Sequence, residues 1–215
     1  MKVKLFNVAL GLALTATAMS ASAQKVYKEG KAVFATQAMG MAGEATMYFK
    51  GDSSAISTKQ GPANLTFLNN SKTDYLAVLV DVPVANIKKA GVGTPAEIDE
   101  MQSQLPQLTF TPATETKQIN GFNCKRVVAK DKDGKTFDVW VTNDISAPLG
   151  MNGKMFANAG GFPVQYTITQ NGVAVENTLK SIDESKAPAG TFIIPAGFDK
   201  ITLTELRAMS GGGRR

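Results

Sequence analysis

Short stretches of alternating apolar and polar residues recur along this chain, and each ends in a tight-turn signal. Gly51-Asp52, Asn69-Asn70-Ser71 and Asn171-Gly172 are the clearest of these signals. In Glu44–Lys50, Ala45, Met47 and Phe49 alternate with polar neighbours. Val164, Tyr166 and Ile168 alternate with Gln165, Thr167 and Thr169. A period of two sends successive side chains to opposite faces of a strand. Strands this short, at this spacing, pair with their sequence neighbours as an antiparallel meander. The chain is thereby constrained to a mainly β (α+β) fold.

The individual elements follow from the same reading. Gly30–Gln37 is a first strand, and Gly40–Gly43, with Met39 and Met41 beside it, is a flexible connection. Ser53–Gln60 and Asn64–Asn69 are further strands. Tyr75–Val82 differs, because it is a continuous apolar run; such a strand is covered on both faces. The segment after it supplies one cover. Thr94-Pro95-Ala96-Glu97 carries an N-cap threonine, a proline at the first helical position and a capping-box glutamate. Ile98, Met101 and Leu105 then form one apolar stripe before Pro106 ends the helix. Leu108–Glu115 leads into a hairpin, Ile119–Asp144, that turns at Asp131–Gly134 and places Phe137, Val139 and Val141 on one face. Asp144–Phe156 is a loop with a helical turn near Met151–Phe156. Phe192–Pro195 is a short extended piece, and Thr202–Met209 a last helical turn or two.

Residues 1–23 read as a secretory signal peptide. Lys2 and Lys4 precede the apolar stretch Leu5–Ala18, and Ala21-Ser22-Ala23 is a small-x-small cleavage site. The apolar stretch is shorter than the ~20 residues a spanning helix needs, so no transmembrane anchor is expected in the mature chain. This predicts a periplasmic or secreted protein with one domain over residues 24–209. Ser210–Arg215 is expected to be a disordered basic tail. Of the 215 residues, 43% are hydrophobic and 19% charged, as in an ordinary globular domain. Losing Lys2 and Lys4, and no carboxylate, lowers the net charge from +5 to +3. No basic stripe with interleaved aromatics is present, so nucleic acid is not an expected partner.

Chemistry-bearing patterns are scarce. The chain has no histidine, which removes the commonest general base and all histidine-ligated metal sites. A lone cysteine, Cys124, cannot form an internal disulfide and is expected to be buried as a small hydrophobe. Asp131-Lys132-Asp133-Gly134 fails as a calcium loop because Lys135 stands where an oxygen ligand belongs. Met39, Met41 and Met47 read as apolar lining rather than a thioether copper site. The carboxylates Asp138, Asp144, Asp183 and Glu184 cannot be paired from sequence. The expectation is a protein that is not an enzyme, with no cofactor and no metal.

From Glu115-Thr116-Lys117-Gln118-Ile119-Asn120-Gly121-Phe122-Asn123-Cys124-Lys125 to the strand Asp138–Thr142, the chain resembles a bacterial family of exported proteins, domain of unknown function 4412. Gly161-Phe162-Pro163-Val164, Lys186–Pro195, Phe198 and Thr202–Leu206 extend the resemblance through the second half. A related exported family, named for its Gly-Leu-Pro-Gly-Leu-Ile motif, is similar in its hairpin; Phe162 and Val164 depart from that motif. The resemblance implies a fold like that of lipoprotein carriers (LolA-like). That fold is a strongly curved antiparallel sheet, or incomplete β-barrel, with one or two short helices packed against it. It brings no catalytic residues.

Two functions fit such a chain. One is binding of a lipid or other hydrophobic ligand in the concave face of the sheet, with Met39, Met41, Met47, Phe49, Leu76, Val78 and Val80 as lining. The alternative is an envelope protein–protein interaction or maintenance factor with a packed core. It would use exposed strand edges and the face carrying Trp140.

Overall fold

The structure, a computed structural model, describes residues 24–170 and 172–211. The residues read as a signal peptide, Asn171 of the Asn171-Gly172 turn, and the last residues of the basic tail lie outside them. The strands and helices run, in chain order, β1 (Lys25–Val26), β2 (Glu29–Ala38), β3 (Met41–Lys50), β4 (Ser53–Gln60), β5 (Ala63–Asn70), β6 (Tyr75–Val82), β7 (Ile87–Val92), α1 (Pro95–Ser103), β8 (Thr109–Ile119), β9 (Phe122–Lys130), β10 (Thr136–Thr142), β11 (Ile145–Ser146), α2 (Gly153–Phe156), β12 (Phe162–Gln170), β13 (Val173–Asp183), β14 (Asp199–Thr202) and α3 (Leu203–Gly211).

Twelve strands form one open sheet in the order β14-β7-β6-β5-β4-β3-β2-β13-β12-β10-β9-β8. The mainly β, curved-sheet architecture is the expected one, with three differences. The β14–β7 pair is parallel, so the sheet is mixed. A separate parallel pair, β1–β11, ties the start of the described chain to the loop after β10. There are three short α-helices among the described residues, not one or two. Smaller corrections follow from pairing. Met41–Gly43 belongs to β3, and only Met39-Gly40 turns the chain. Phe192–Pro195 is a set of turns rather than an extended strand. α3 runs through Gly211, into the segment expected to be disordered.

Tyr75–Val82 has the two covers its composition requires. On one face, Ala55, Leu68, Ala77 and Val92 align across β4–β7, and Leu79 and Ala90 lie beside them. Phe192, Ile194 and Phe198 pack across this row as a strap. On the other face the aligned row is Met47, Ile56, Phe67, Val78 and Gly91. Here α3 closes the β7 end. A Cβ on Gly91 would stand 2.7 Å from Leu206 and 3.2 Å from Leu203, so only glycine lets the helix approach. α1 crosses the same face near Leu76, but none of its residues is fully buried.

The predicted capping box of α1 is present. Glu97 N donates to Thr94 Oγ1 at 3.3 Å, and Thr94 N donates to Glu97 Oε2 at 2.8 Å. The other oxygen of that carboxylate accepts from Thr204 N at 2.7 Å and Thr204 Oγ1 at 2.6 Å. One side chain therefore caps α1 and holds the first turn of α3. These hydrogen bonds, Thr204's first, lower the Glu97 pKa from 4.5 to about 2. A depressed carboxylate stabilises the fold above its unfolded pKa and loses that contribution as pH falls through the folded one. The melting-temperature gap between the wild type and Glu97→Gln should stay constant above about pH 5 and close between pH 4.5 and about 2. Thr94→Ala should cost about 1 kcal/mol in denaturant unfolding.

Candidate functional site

The sheet face opposite the strap carries an apolar trough with two cavities. The first measures about 510 Å³. It is lined by β5, β4, β3, β2, β13 and β12, which are consecutive neighbours in the sheet, so the sheet must curve around it. Phe34, Ala45, Ile56, Leu65, Phe67, Phe162, Ile168 and Val175 supply most of the wall. The second measures about 520 Å³ and lies under α1. The helix stripe predicted from spacing, Ile98, Met101 and Leu105, faces this space together with Leu76. The stripe meets a cavity rather than a close-packed core, which explains why α1 buries no residue fully.

Leu149 and Met151 line both cavities and form the wall between them. That wall rests on the sheet through Gly150. Its φ is +56°, and a Cβ there would stand 2.9 Å from Ser54 Oγ and 3.3 Å from Met47 Sδ. The two cavities open towards opposite ends of the strands. Met41, Gln60 and Gly61 stand at one mouth; Asp52, Ser71 and Asp74 stand at the other.

Polar side chains are interspersed in both linings, among them Thr36, Thr58 and Asn177 in the first and Ser54 and Asn69 in the second. Asn152 Nδ2 donates to the Tyr166 hydroxyl at 3.2 Å on the wall of the first cavity. Burial pushes the Tyr166 pKa up to about 12, so the phenol is neutral and keeps its proton to donate. Ser54, buried on the wall of the second cavity, has a hydroxyl with no hydrogen-bond partner among the described residues. At the mouth of that cavity, Lys154 Nζ donates to Gln102 Oε1 at 2.7 Å and lies 3.5 Å from Asp74 Oδ1. Gln102 Nε2 donates to Asp74 Oδ1 at 3.1 Å. This triangle joins α2, α1 and the β5–β6 turn.

The residues proposed from sequence as lining are distributed along this face. Met41 and Met47 line the first cavity, and Leu76 lines the second. Phe49 is 1% exposed and part of the core. Val78 and Val80 are half-buried on the same face, paired with Phe67 and Leu65, but line neither cavity. Met39 is 78% exposed, because it occupies the β2–β3 turn and not a strand position. Met41 and Met47, six strand positions apart, are separated by about 20 Å and cannot share a metal ion. Among the described residues no three His, Cys, Asp or Glu side chains converge as a metal site. The alternation of Val164, Tyr166 and Ile168 marked β12 as a strand, but nothing local marked β12, β13 and Leu149–Asn152 as a wall of the trough, which they reach only through long-range pairing and loop placement.

The hairpin around Cys124 is structural. Asn120 and Gly121, with φ of 48° and 87°, form its two-residue turn, and Asp131 Oδ1 accepts from the Asp133 and Lys135 amides across the other. Cys124 is 1% exposed, and burial pushes its thiol up to about 11. Lys117 Nζ sits 4.0 Å over the Trp140 ring, so that ring is covered. Asp138 pairs with Arg126, Asp144 accepts from Asn123, Asp183 accepts from Ser185 and Glu184 lies 3.7 Å from Lys25. Each of the four carboxylates has a partner of its own among the described residues.

Fold and site together define a curved-sheet protein with a divided apolar trough. The profile of the family described as domain of unknown function (DUF4412) matches residues 13–198, and the chain belongs to that family. A comparison with curated protein sequences finds no match. Among solved structures, the chain is similar to PNGF-II at 16% identity and a TM-score of 0.51. That match covers 84% of this chain but only 32% of the PNGF-II chain, so this chain spans about a third of it. MucB aligns at 10% identity and a TM-score of 0.36, covering 85% of this chain and 61% of that one. A DUF1329 family protein from Desulfovibrio piger aligns at 10% identity and a TM-score of 0.34, covering 76% and 88%. Identity this low bears on the fold alone. No helix among the described residues is long and apolar enough to cross a membrane.

Two outcomes test the site's geometry. Gly150→Ala should cost about 1–2 kcal/mol, since it combines a left-handed φ with a blocked Cβ position. The Cys124 thiol should resist a thiol reagent in the folded protein at pH 8 and react fully once denaturant is added.

Proposed function

We propose that this chain is an exported, non-enzymatic binding protein that holds a long acyl chain in the trough. The observation that carries the reading is the pair of adjoining apolar cavities on one sheet face, each within the size range of small-molecule sites. Close-packed interiors leave few voids larger than a water molecule. Here an amphipathic helix and a curved sheet face each other across space instead of interdigitating. Each methylene moved from water into that space contributes about 0.8 kcal/mol. About ten methylenes therefore supply roughly 8 kcal/mol before the cost of immobilising the chain. A short ligand could not offset that cost, and a long one could.

The neutral Tyr166 hydroxyl, held by Asn152, supports a ligand with a carbonyl oxygen within the apolar stretch, such as an ester or an amide. Thr36, Thr58 and Asn177 also line the first cavity and offer further polar atoms to such a ligand. Export rests on the sequence of residues 1–23.

Titration with a fluorescent fatty-acid ester tests this reading. The wild-type chain should bind with micromolar or better affinity. Ala45→Trp, which fills the first cavity, should weaken binding about tenfold or more with little change in melting temperature. Tyr166→Phe keeps the ring that packs 4.7 Å from Phe156. It should weaken the ester probe but not an alkane-tailed probe without a carbonyl. Equal affinity of all three proteins for the ester would exclude the trough as the site.

A further inference from the structure

The strand pairing collects three neighbouring hairpin turns at one end of the sheet. Ala38 pairs with Met41 around Met39-Gly40, Gln60 with Ala63 around Gly61-Pro62, and Val82 with Ile87 around Pro83–Asn86. These turns carry unusual side chains for their positions. Met39 is 78% exposed, Met41 69%, Val84 84% and Ile87 39%. Among the described residues, seven large hydrophobic side chains are exposed, and four of them sit on or beside these turns. Single exposed apolar residues are ordinary; a concentration at one end is not.

The Met39-Gly40 turn adds a second, independent sign. Both residues have positive φ, 50° and 76°, a conformation that favours asparagine, aspartate or glycine at the first position. The chain uses asparagine in the equivalent Asn120-Gly121 turn, where φ is 48° and 87°. At Met39 it places a long apolar side chain in the same strained conformation and points it at solvent. Local folding preference does not account for that choice. The same turns surround an opening: Met41, Gln60 and Gly61 line the mouth of the first cavity. Lys59 and Lys88, just inside the second and third turns, are exposed. Asp81, the carboxylate paired across the ladder from Lys88, is half-buried.

We propose that this end of the sheet docks on an anionic lipid surface, with Met39, Met41, Val84 and Ile87 entering the headgroup–acyl boundary and the mouth of the first cavity facing the bilayer. Apolar tips flanked by lysines are what such an interface binds. The proposal builds on the acyl-chain reading, because it gives a water-insoluble ligand a path into the trough that avoids bulk water.

The test uses the chain from Gln24, which contains every described element and removes the apolar Leu5–Ala18 stretch from the readout. Flotation is measured with vesicles of phosphatidylglycerol and phosphatidylethanolamine at low salt, for the wild type and for a Met39→Asn, Val84→Ser double variant. Neither residue lines a cavity, and asparagine suits the turn, so the variant's melting temperature should not fall. The wild type should float with the vesicles, and the variant should bind them about tenfold more weakly. Both should bind a soluble fluorescent fatty-acid ester equally. A wild type that stays with the soluble fraction, or a variant that floats as well as the wild type, would overturn the docking proposal. Vesicle binding that depends on Met39 and Val84, without ester binding by either protein, would support docking and sink the interior-ligand reading.

Discussion

β4 to β7 form a ribbon of sheet that is apolar on both sides, and the architecture follows from the need to cover both. The sequence of Tyr75–Val82 states the requirement, and the pairing register distributes it. Ala55, Leu68 and Ala77 go to one face; Ile56, Phe67 and Val78 go to the other. The first face is closed by the turns around Phe192, Ile194 and Phe198. Those residues come from the far end of the chain, 100 or more residues after the strands they cover. The second face is bridged by α1, α3 and the Leu149–Asn152 segment. They span it without filling it, and that incomplete second cover is the origin of both cavities.

Small devices keep the bridging elements in place without occupying the space. Glycine at position 91 admits α3 against β7, and glycine at 150 seats the dividing wall against Ser54 and Met47. The Glu97 carboxylate ties the starts of α1 and α3 together. The Asp74–Gln102–Lys154 triangle ties α1 to α2 and the β5–β6 turn at the opposite end. The Glu97 bonds and the Asp74–Gln102–Lys154 triangle act at the rim, while the Gly150 seat lies between the two cavities. Interior positions are left to side chains such as Ile98, Met101, Phe34 and Leu65, which offer surface and little polarity.

Much of this was legible locally. Turn dipeptides located most of the hairpins, the capping box located α1, and the apolar run of β6 announced a doubly covered strand. Cys124 sits in the core, where an unpaired thiol was expected. Elements whose pairing partners lie far away in sequence were not legible. β14 is short, Lys200 interrupts it, and it is a strand only because it joins β7 in parallel at the edge of the sheet; β7, interrupted by Lys88 and Lys89, is held between β14 and β6. The candidate site was half legible for the same reason. Strand alternation put Met47 and Leu76 on the correct face, but it could not show that β12 and β13 return beside β2 to close the first cavity. Met39 was legible as part of a connection, but on the β2–β3 turn it points to solvent and does not join the lining.

The central claim is that the trough holds an acyl chain, and native mass spectrometry of the purified chain from Gln24 tests it most directly. The account predicts a species heavier than the protein by the mass of one lipid. That mass should be lost on denaturation and diminished in Ala45→Trp. A single species at the mass of the bare polypeptide, unchanged when the protein is incubated with lipid extract, would contradict it.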